Sequence, residues 1–177
     1  SGTEHCGRRR AIILKVAQWE RQALAQAKIE AIARGERGNV TDLMRILDWN
    51  GSLNINMLRY EAEGYSVLHL ASMSSNAAFI EGLLYSHRKV DADARSTLAG
   101  YTALHLCSWK GDLAIAKLFC ERALVDLEIK SREGFTALHY AVMMSTTGQN
   151  YGRGDPDRIA CCKLLIDAGA DAGSGSG

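Results

Sequence analysis

Three histidines recur at nearly equal intervals, and histidine is the side chain best suited to hold a metal or to move a proton near neutral pH. His69, His105 and His139 are 36 and 34 residues apart. A zinc ion needs its ligands about 2 Å away. If each histidine belongs to one layer of a helical stack, the rings lie roughly 10 Å apart, the usual distance between packed helices. The spacing therefore favours three structural histidines, and we predict neither metal nor cofactor.

Cysteine is the second residue type that could carry chemistry here. The chain has five cysteines, an odd number without disulfide-framework spacing, and it contains no Cys-x-x-Cys motif. Such usage favours reduced thiols in the cytoplasm or nucleus. The alternative from a different functional class is a metal or thiol site formed by the histidines and cysteines. Metal analysis of the purified protein would separate the two hypotheses.

Composition and charge argue against several other classes of protein. The 177 residues are 47% hydrophobic and 23% charged, with a formal net charge of +1. This balance is typical of a globular domain and gives no strong attraction to nucleic acid or an acidic membrane. No run of about 18 apolar residues is present, so no membrane insertion is predicted. We expect a monomer that does not bind nucleic acid directly, although Arg8 to Arg10 could alternatively form a nuclear-import signal.

The histidines belong to longer recurring segments. Each segment has a turn glycine, a tetrad ending in histidine, a short apolar helix, a break and a second apolar helix. The turn glycines are Gly64, Gly100 and Gly134, and the tetrads are Ser-Val-Leu-His at 66–69, Thr-Ala-Leu-His at 102–105 and Thr-Ala-Leu-His at 136–139. Neither helix can bury its apolar stripe alone, whereas stacked neighbours can. This recurring sequence pattern resembles the ankyrin repeat, which has a period of about 33 residues and a T-P-L-H signature.

The resemblance implies an all-α ankyrin-repeat solenoid of about four helix-turn-helix repeats with β-turn fingers and an N-terminal capping helix. The family proline is replaced by Val67, Ala103 and Ala137. We expect a tag remnant and capping helix at 1–30, repeats at 31–62, 63–95, 96–130 and 131–172, and a linker or tag at 173–177. The chain ends at a repeat boundary, so we expect it to be part of a longer protein.

Two segments depart from the repeat pattern. Residues 8–34 have no glycine or proline and carry apolar residues at helical spacing, which predicts one helix whose last third is the first helix of repeat one. Its earlier part is expected to cover the end of the stack. In the last repeat, a polar, glycine-rich insert at 145–157 separates the two helices and is predicted to be a surface loop, free or in contact with a partner. Asp155 and Pro156 should restart the helix.

Ankyrin resemblance also implies roles for individual residues. The tetrad histidine bonds the backbone of the neighbouring repeat, and Cys107, Cys120, Cys161 and Cys162 stand at positions that the family buries. Partners of the family lie on the concave face, so we predict partner-binding residues at the finger tips, after each turn glycine, before each inter-helix turn, and in the insert. They are Tyr65, Met73, Arg95, Tyr101, Trp109, Lys110, Lys130, Arg132, Phe135, Met143, Met144, Tyr151 and Arg153.

Large apolar residues at sites that should face solvent indicate an interaction surface. We therefore predict a non-catalytic module that binds a protein or peptide, with Trp109 as its anchor, within a scaffold, adaptor or regulatory protein. The rings of Tyr65, Tyr101 and Phe135 could instead pack on adjacent fingers and stiffen the stack. A narrower alternative is a transcription-factor-binding regulator, since the 94–100 finger resembles inhibitors of nuclear factor kappa B. Self-assembly through the N-terminal helix is disfavoured because its apolar residues keep no strict heptad.

Overall fold

In a computed structural model, the chain forms a stack of helical hairpins. The structure describes residues 2–36, 38, 40–49, 53–86, 90–121, 125–147 and 156–171, and the side chains of 2–10, 40 and 144–147 lie outside that description. The helices of the described part are α1 Gly2–Ala33, α2 Val40–Trp49, α3 Val67–Met73, α4 Ala77–Tyr85, α5 Ala103–Lys110, α6 Leu113–Glu121, α7 Ala137–Thr147 and α8 Pro156–Asp167. A short 3₁₀ helix spans Ile55–Met57.

Each odd-numbered helix pairs with the next even-numbered helix as an antiparallel hairpin. Along the stack, α1, α3, α5 and α7 contact one another in turn and form an inner layer, while α2, α4, α6 and α8 form an outer layer. Leu68, Leu104 and Leu138 hold equivalent interior positions and are 2%, 2% and 5% exposed. The all-α repeat solenoid predicted from the sequence is therefore confirmed.

Local sequence sets where the inner helices begin and end. Thr102 precedes α5 in an extended conformation, and its hydroxyl accepts the backbone N–H of His105 at 3.4 Å. This N-cap satisfies one of the free donors at the helix start. Gly111 ends α5 in the left-handed region with φ 76°. Ser75 stands at the matching turn after α3 and adopts φ 56° without being glycine.

The N-terminal helix is longer than expected, because α1 runs unbroken from Gly2 to Ala33. Its last turns enter the stack, with Ala25, Ile29, Ile32 and Ala33 buried. The earlier apolar side chains do not: Ile12, Ile13 and Trp19 are 60%, 66% and 69% exposed. These apolar side chains of the first two thirds of α1 are therefore not buried against the stack. The assignment of residues 1–30 as a cap stays a prediction.

Successive hairpins are joined at their inner turns by one polar side chain each. Asn76 Nδ2 donates to Ile32 O at 2.9 Å, Lys110 Nζ donates to Met73 O at 2.6 Å, and Arg158 Nη1 donates to Trp109 O at 2.8 Å. In all three cases the acceptor is a carbonyl in the last turn of the preceding inner helix. Carbonyls in the last turn of a helix lack an intrahelical partner, although Ile32 O also accepts the N–H of Gly35 at 3.0 Å. The negative end of the helix dipole favours the two cationic donors, Lys110 and Arg158.

The segment between the two helices of the last repeat is shorter than the loop predicted at 145–157. Helix α7 continues to Thr147, and α8 begins at Pro156. Residues 145–147, which we expected in the loop, are therefore helical, and the predicted insert of 145–157 overlaps the first turn of α8. The helix is not stopped at 145–147, because these residues are Ser-Thr-Thr and include neither glycine nor proline. Pro156 at the first helical position agrees with the predicted restart, since its missing N–H would be unpaired there anyway. Asp155 lies outside the described residues.

A methyl group at the turn of the first finger should destabilise the protein strongly. Gly64 has φ 67°, and a Cβ there would lie 1.9 Å from Thr97 Oγ1 and 2.7 Å from Thr97 Cβ. Gly64→Ala should lower the free energy of unfolding by about 2–3 kcal/mol through backbone strain and the clash. Gly134→Ala is the matched control, because φ is 85° but nothing lies within 4 Å of a Cβ. It should lose only roughly 1 kcal/mol. Equal losses in urea unfolding would contradict the clash.

Candidate interaction surface

The fingers form a continuous edge beside the inner helices. Within one finger Ser96 N donates to Tyr101 O at 2.8 Å. Between fingers Thr97 N donates to Glu63 O at 2.7 Å, and Arg132 N donates to Ala99 O at 2.9 Å. Because backbone groups join the fingers to one another, side chains on this edge keep fixed relative positions. The edge is therefore suited to present a preformed surface.

Two of the three tetrad histidines, His69 and His105, link their own helix cap to the next finger. His69 Nδ1 accepts Ser66 N–H at 3.1 Å, which fixes Nε2 as the protonated nitrogen, and Nε2 donates to Tyr101 O at 2.7 Å. His105 repeats the arrangement, with Nε2 donating to Phe135 O at 3.1 Å. His69 and His105 are 0% and 2% exposed, and burial lowers the pKa of both, to about 4 for His69. The described geometry gives these rings a structural role between repeats, as the resemblance implied.

An aromatic row runs along the finger side of the inner helices. Tyr65, Tyr101 and Phe135 each lie against the histidine of their own repeat, with ring centroids 5.6, 6.2 and 5.8 Å apart. Tyr140 contacts Tyr101 and Phe135 edge-on at 5.5 and 5.9 Å. The three rings after the turn glycines are half-buried. Packing on neighbours, one of the two roles considered for them, is therefore present, and their part in binding stays a prediction.

A groove of about 480 Å³ opens between this row and the C-terminal turns of α3 and α5. It is lined by Tyr65, Met73, Tyr101, His105, Leu106, Trp109, Lys110 and Tyr140. The volume lies within the roughly 300–1,000 Å³ of typical ligand clefts. Trp109 and Met73 are 47% and 40% exposed although they are large and apolar. The groove thus joins five of the predicted binding residues in one concave, mainly apolar site.

Two predicted binding residues also hold the scaffold together. Lys110 Nζ donates to Met73 O and to Ser75 Oγ, the latter at 2.7 Å. Arg95 donates through Nη2 to Lys130 O at 2.7 Å and through Nε to Gly100 O at 3.3 Å. All four acceptors are neutral oxygens, so neither cation is neutralised by these bonds. Contact of either side chain with a partner stays a prediction.

The other predicted residues lie around the groove or outside the described part. Lys130 and Arg132 are exposed on the fingers, and Met143 of α7 is 42% exposed. Phe135 extends the aromatic row beyond Tyr140. The Met144 side chain, Tyr151 and Arg153 lie outside the described residues, so nothing is concluded about them.

Sequence reasoning missed His105, Leu106 and Tyr140 as parts of the groove. Tyr140 could have been singled out from the sequence, because it occupies the position after the tetrad histidine, where the other two inner helices have Leu70 and Leu106. Its hydroxyl donates to Glu133 Oε2 at 2.9 Å and bonds Ser131 Oγ at 3.1 Å. Burial raises the pKa of Tyr140, so the phenol stays neutral and keeps donating at physiological pH.

The four cysteines whose side chains the structure describes offer little for thiol or metal chemistry. Cys107 and Cys161 are 0% exposed, and Cys120 and Cys162 are half-buried. Burial raises the pKa of all four, that of Cys161 to about 11, and a protonated buried thiol is a poor nucleophile. Among the described residues, no three His, Cys, Asp or Glu side chains are grouped to hold a metal ion. No helix in the described part is long and apolar enough to cross a membrane.

The architecture is that of a repeat protein: helical hairpins are stacked, their fingers are joined by hydrogen bonds, and histidines link neighbouring repeats. Comparison with known families identifies this class of repeat protein. The family description "Ankyrin repeats (3 copies)" matches residues 29–130 and 68–175. The chain belongs to the ankyrin-repeat family. Ankyrin repeats generally serve as protein–protein interaction modules, and the family is generally non-enzymatic.

Individual relatives are more distant. The chain is 27% identical to the nuclear factor NF-kappa-B p105 subunit of Gallus gallus over 135 residues, or 75% of this chain and 12% of that protein. It is 28% identical to alpha-latrotoxin-Lg1a of Latrodectus geometricus over 110 residues, 62% of this chain and 8% of the toxin. A BTB/POZ domain-containing protein of Schizosaccharomyces pombe is 32% identical over 79 residues, 44% of this chain and 6% of that protein. The chain therefore spans an eighth or less of these relatives.

Proposed function

We propose that the chain is a non-catalytic module that binds a protein or peptide partner in the groove between its fingers and inner helices. The observation that carries this proposal is the exposed apolar wall formed by Met73, Trp109 and the neighbouring tyrosines. Aromatic and methionine side chains are enriched in the cores of interfaces. The surrounding backbone bonds hold the wall in place, so binding requires little ordering.

Co-purification followed by cross-linking tests the proposal. The partner is identified with the unmodified chain and then cross-linked to it, and the linked residues are mapped. Cross-links concentrated around Trp109 and Tyr101 support the groove. Cross-links confined to α1 or to the insert would place the interface elsewhere and overturn the assignment of the site.

Truncation of the tryptophan in the groove should weaken binding of that partner. Trp109 lines the groove and is 47% exposed, and removal of an aromatic anchor costs about 2 kcal/mol or more. Trp109→Ala should therefore raise the dissociation constant roughly thirtyfold, as measured by calorimetry. Trp49→Ala is the matched control, because Trp49 is 74% exposed at the end of α2 and does not line the groove. An unchanged affinity for Trp109→Ala would contradict its role as the anchor.

A narrower candidate is a regulator that binds a transcription factor. Similarity to the p105 subunit of nuclear factor kappa B over three quarters of the chain favours it. Precipitation with purified nuclear factor kappa B subunits tests this version directly. A scaffold or adaptor acting in signalling in the cytoplasm or nucleus fits the same groove, and identification of the partner separates the two versions.

A further inference from the structure

The chemistry of the partner can be read from the charges around the groove, and this step rests on the proposed function. Four groove cations lie beside the apolar wall of Met73, Trp109 and the neighbouring tyrosines: Lys110 lines the groove, and Arg95, Lys130 and Arg132 lie on the fingers. Within the described residues, the ion pairs join other cations: Arg34 with Glu30 and Glu61, Arg45 with Asp42, and Lys117 with Glu121. None of the four groove cations has a carboxylate partner there.

Of the acids on the same fingers, Glu61 is paired with a cation, whereas Glu133 keeps its negative charge because its partner is a neutral hydroxyl. Glu61 pairs with Arg34, and Glu133 accepts the Tyr140 hydroxyl at 2.9 Å. Glu63 lies near Tyr65, where its charge helps to raise the tyrosine pKa after burial. Charge therefore differs along the finger edge: Glu63 lies near Tyr65, and farther along the edge the three cations Arg95, Lys130 and Arg132 outnumber Glu133.

The part of the edge with these cations adjoins the apolar wall directly. A Cβ placed on Gly100 would lie 2.8 Å from Arg95 Nη2 and 3.3 Å from Arg132 Cγ, and the next residue, Tyr101, lines the groove. Lys110 stands on the helix side of the same groove and uses two of its three ammonium donors on Met73 O and Ser75 Oγ. A group held between Tyr101 and Trp109 thus has cations on both sides.

We infer that the bound segment is an acidic stretch of polypeptide that carries one large apolar side chain. The apolar side chain fills the groove between Tyr101, Trp109 and Tyr140. Carboxylates beside it lie over Lys130 and Arg132 and near the free donor of Lys110. Complementary charge of this kind speeds association and selects among partners.

Selection of short random peptides by the full chain tests the inference. Peptides enriched by the unmodified chain over a Trp109→Ala chain should share a large apolar residue with several Asp or Glu residues close to it. Enrichment of neutral or basic peptides, or of none, would overturn the acidic assignment. If both chains enrich the same peptides, the groove itself is wrong as the binding site, which separates failure of the proposed function from failure of the inference.

Charge reversal gives the second arm on the best selected peptide. Arg132→Glu and Lys130→Glu should each raise its dissociation constant about tenfold at low salt, with a smaller effect at high salt. Lys117→Glu is the matched control, because Lys117 is paired with Glu121 on the outer helix α6. Circular dichroism checks that each variant is folded. Equal affinities for Arg132→Glu and Lys117→Glu would overturn the placement of the acidic residues.

Discussion

Phe119→Ala is expected to lower the free energy of unfolding by about 3–5 kcal/mol, the usual loss for a buried phenylalanine. Phe119 is 1% exposed in α6, the outer helix that contacts α4 on one side and α8 on the other. Stability of a repeat array is the sum of contributions from repeats and from the interfaces between neighbours. A cavity in α6 therefore weakens both of its interfaces at once. Since small domains are stable by only about 5–15 kcal/mol, the variant should lose a large fraction of the stability of the chain.

Urea unfolding followed by circular dichroism measures this loss, with Phe135→Ala as the matched control. Phe135 is half-buried, and its ring contacts His139 and Tyr140 on the finger side. Its removal should cost roughly half as much, because less apolar area leaves the interior. Similar losses for the two variants would show that the outer layer contributes less to stability than the burial of Phe119 indicates.

Repetition explains why most of the fold was predictable from the sequence. A single tetrad with a following apolar helix is ambiguous, but three in register require the same hairpin three times. Leu68, Leu104 and Leu138 could be assigned to the interior for that reason, and the structure buries all three. Helix α2 was predictable from its own pattern, with Leu43 and Leu47 inward and both 0% exposed.

The path of α1 could not be predicted in the same way, because no tetrad precedes it. Helix propensity predicts that residues 8–34 are helical, but it says nothing about which neighbour covers them. Ile29 and Ile32 are buried through contacts with the next hairpin, whereas Ile13 and Trp19 remain exposed. Tertiary packing decides this difference, and tertiary packing is not encoded in local spacing.

The groove was predictable only in part, because its wall combines residues from three repeats. Positions such as Tyr101 and Trp109 follow from alignment of the repeats. The contact of Tyr101 with Tyr140 at 5.5 Å does not, since it depends on how far one inner helix is offset from the next. The second roles of Arg95 and Lys110 were likewise hidden, because their acceptors are backbone carbonyls of other repeats, and carbonyls leave no mark in the sequence.

Acidification should destabilise the stack through the two buried histidines. An unfolded histidine titrates near pH 6.5, whereas burial lowers the pKa of His69 to about 4 in the folded state. Between these values the unfolded chain binds a proton that the folded chain excludes, so stability is complete above pH 6.5 and falls as the pH drops toward 4. At pH 5 His69 alone should have lost about 2 kcal/mol. His105, whose pKa is also lowered by burial, adds in the same direction.

The physical cause is burial of the ring, and its hydrogen bonds show the neutral form that burial favours. His69 Nδ1 accepts Ser66 N–H and Nε2 donates to Tyr101 O, so both nitrogens are used in the neutral form. A proton on Nδ1 would face the Ser66 backbone N–H, which can only donate, so the helix cap would weaken, whereas Nε2 would still donate to Tyr101 O. Urea unfolding at several pH values should therefore show a steep loss of stability between pH 6.5 and 5. His69→Gln should be less stable at pH 7 but lose less on acidification. Gly64→Ala, destabilised with both histidines intact, should keep the steep dependence, and a flat profile in the unmodified protein would contradict the neutral, buried state of His69.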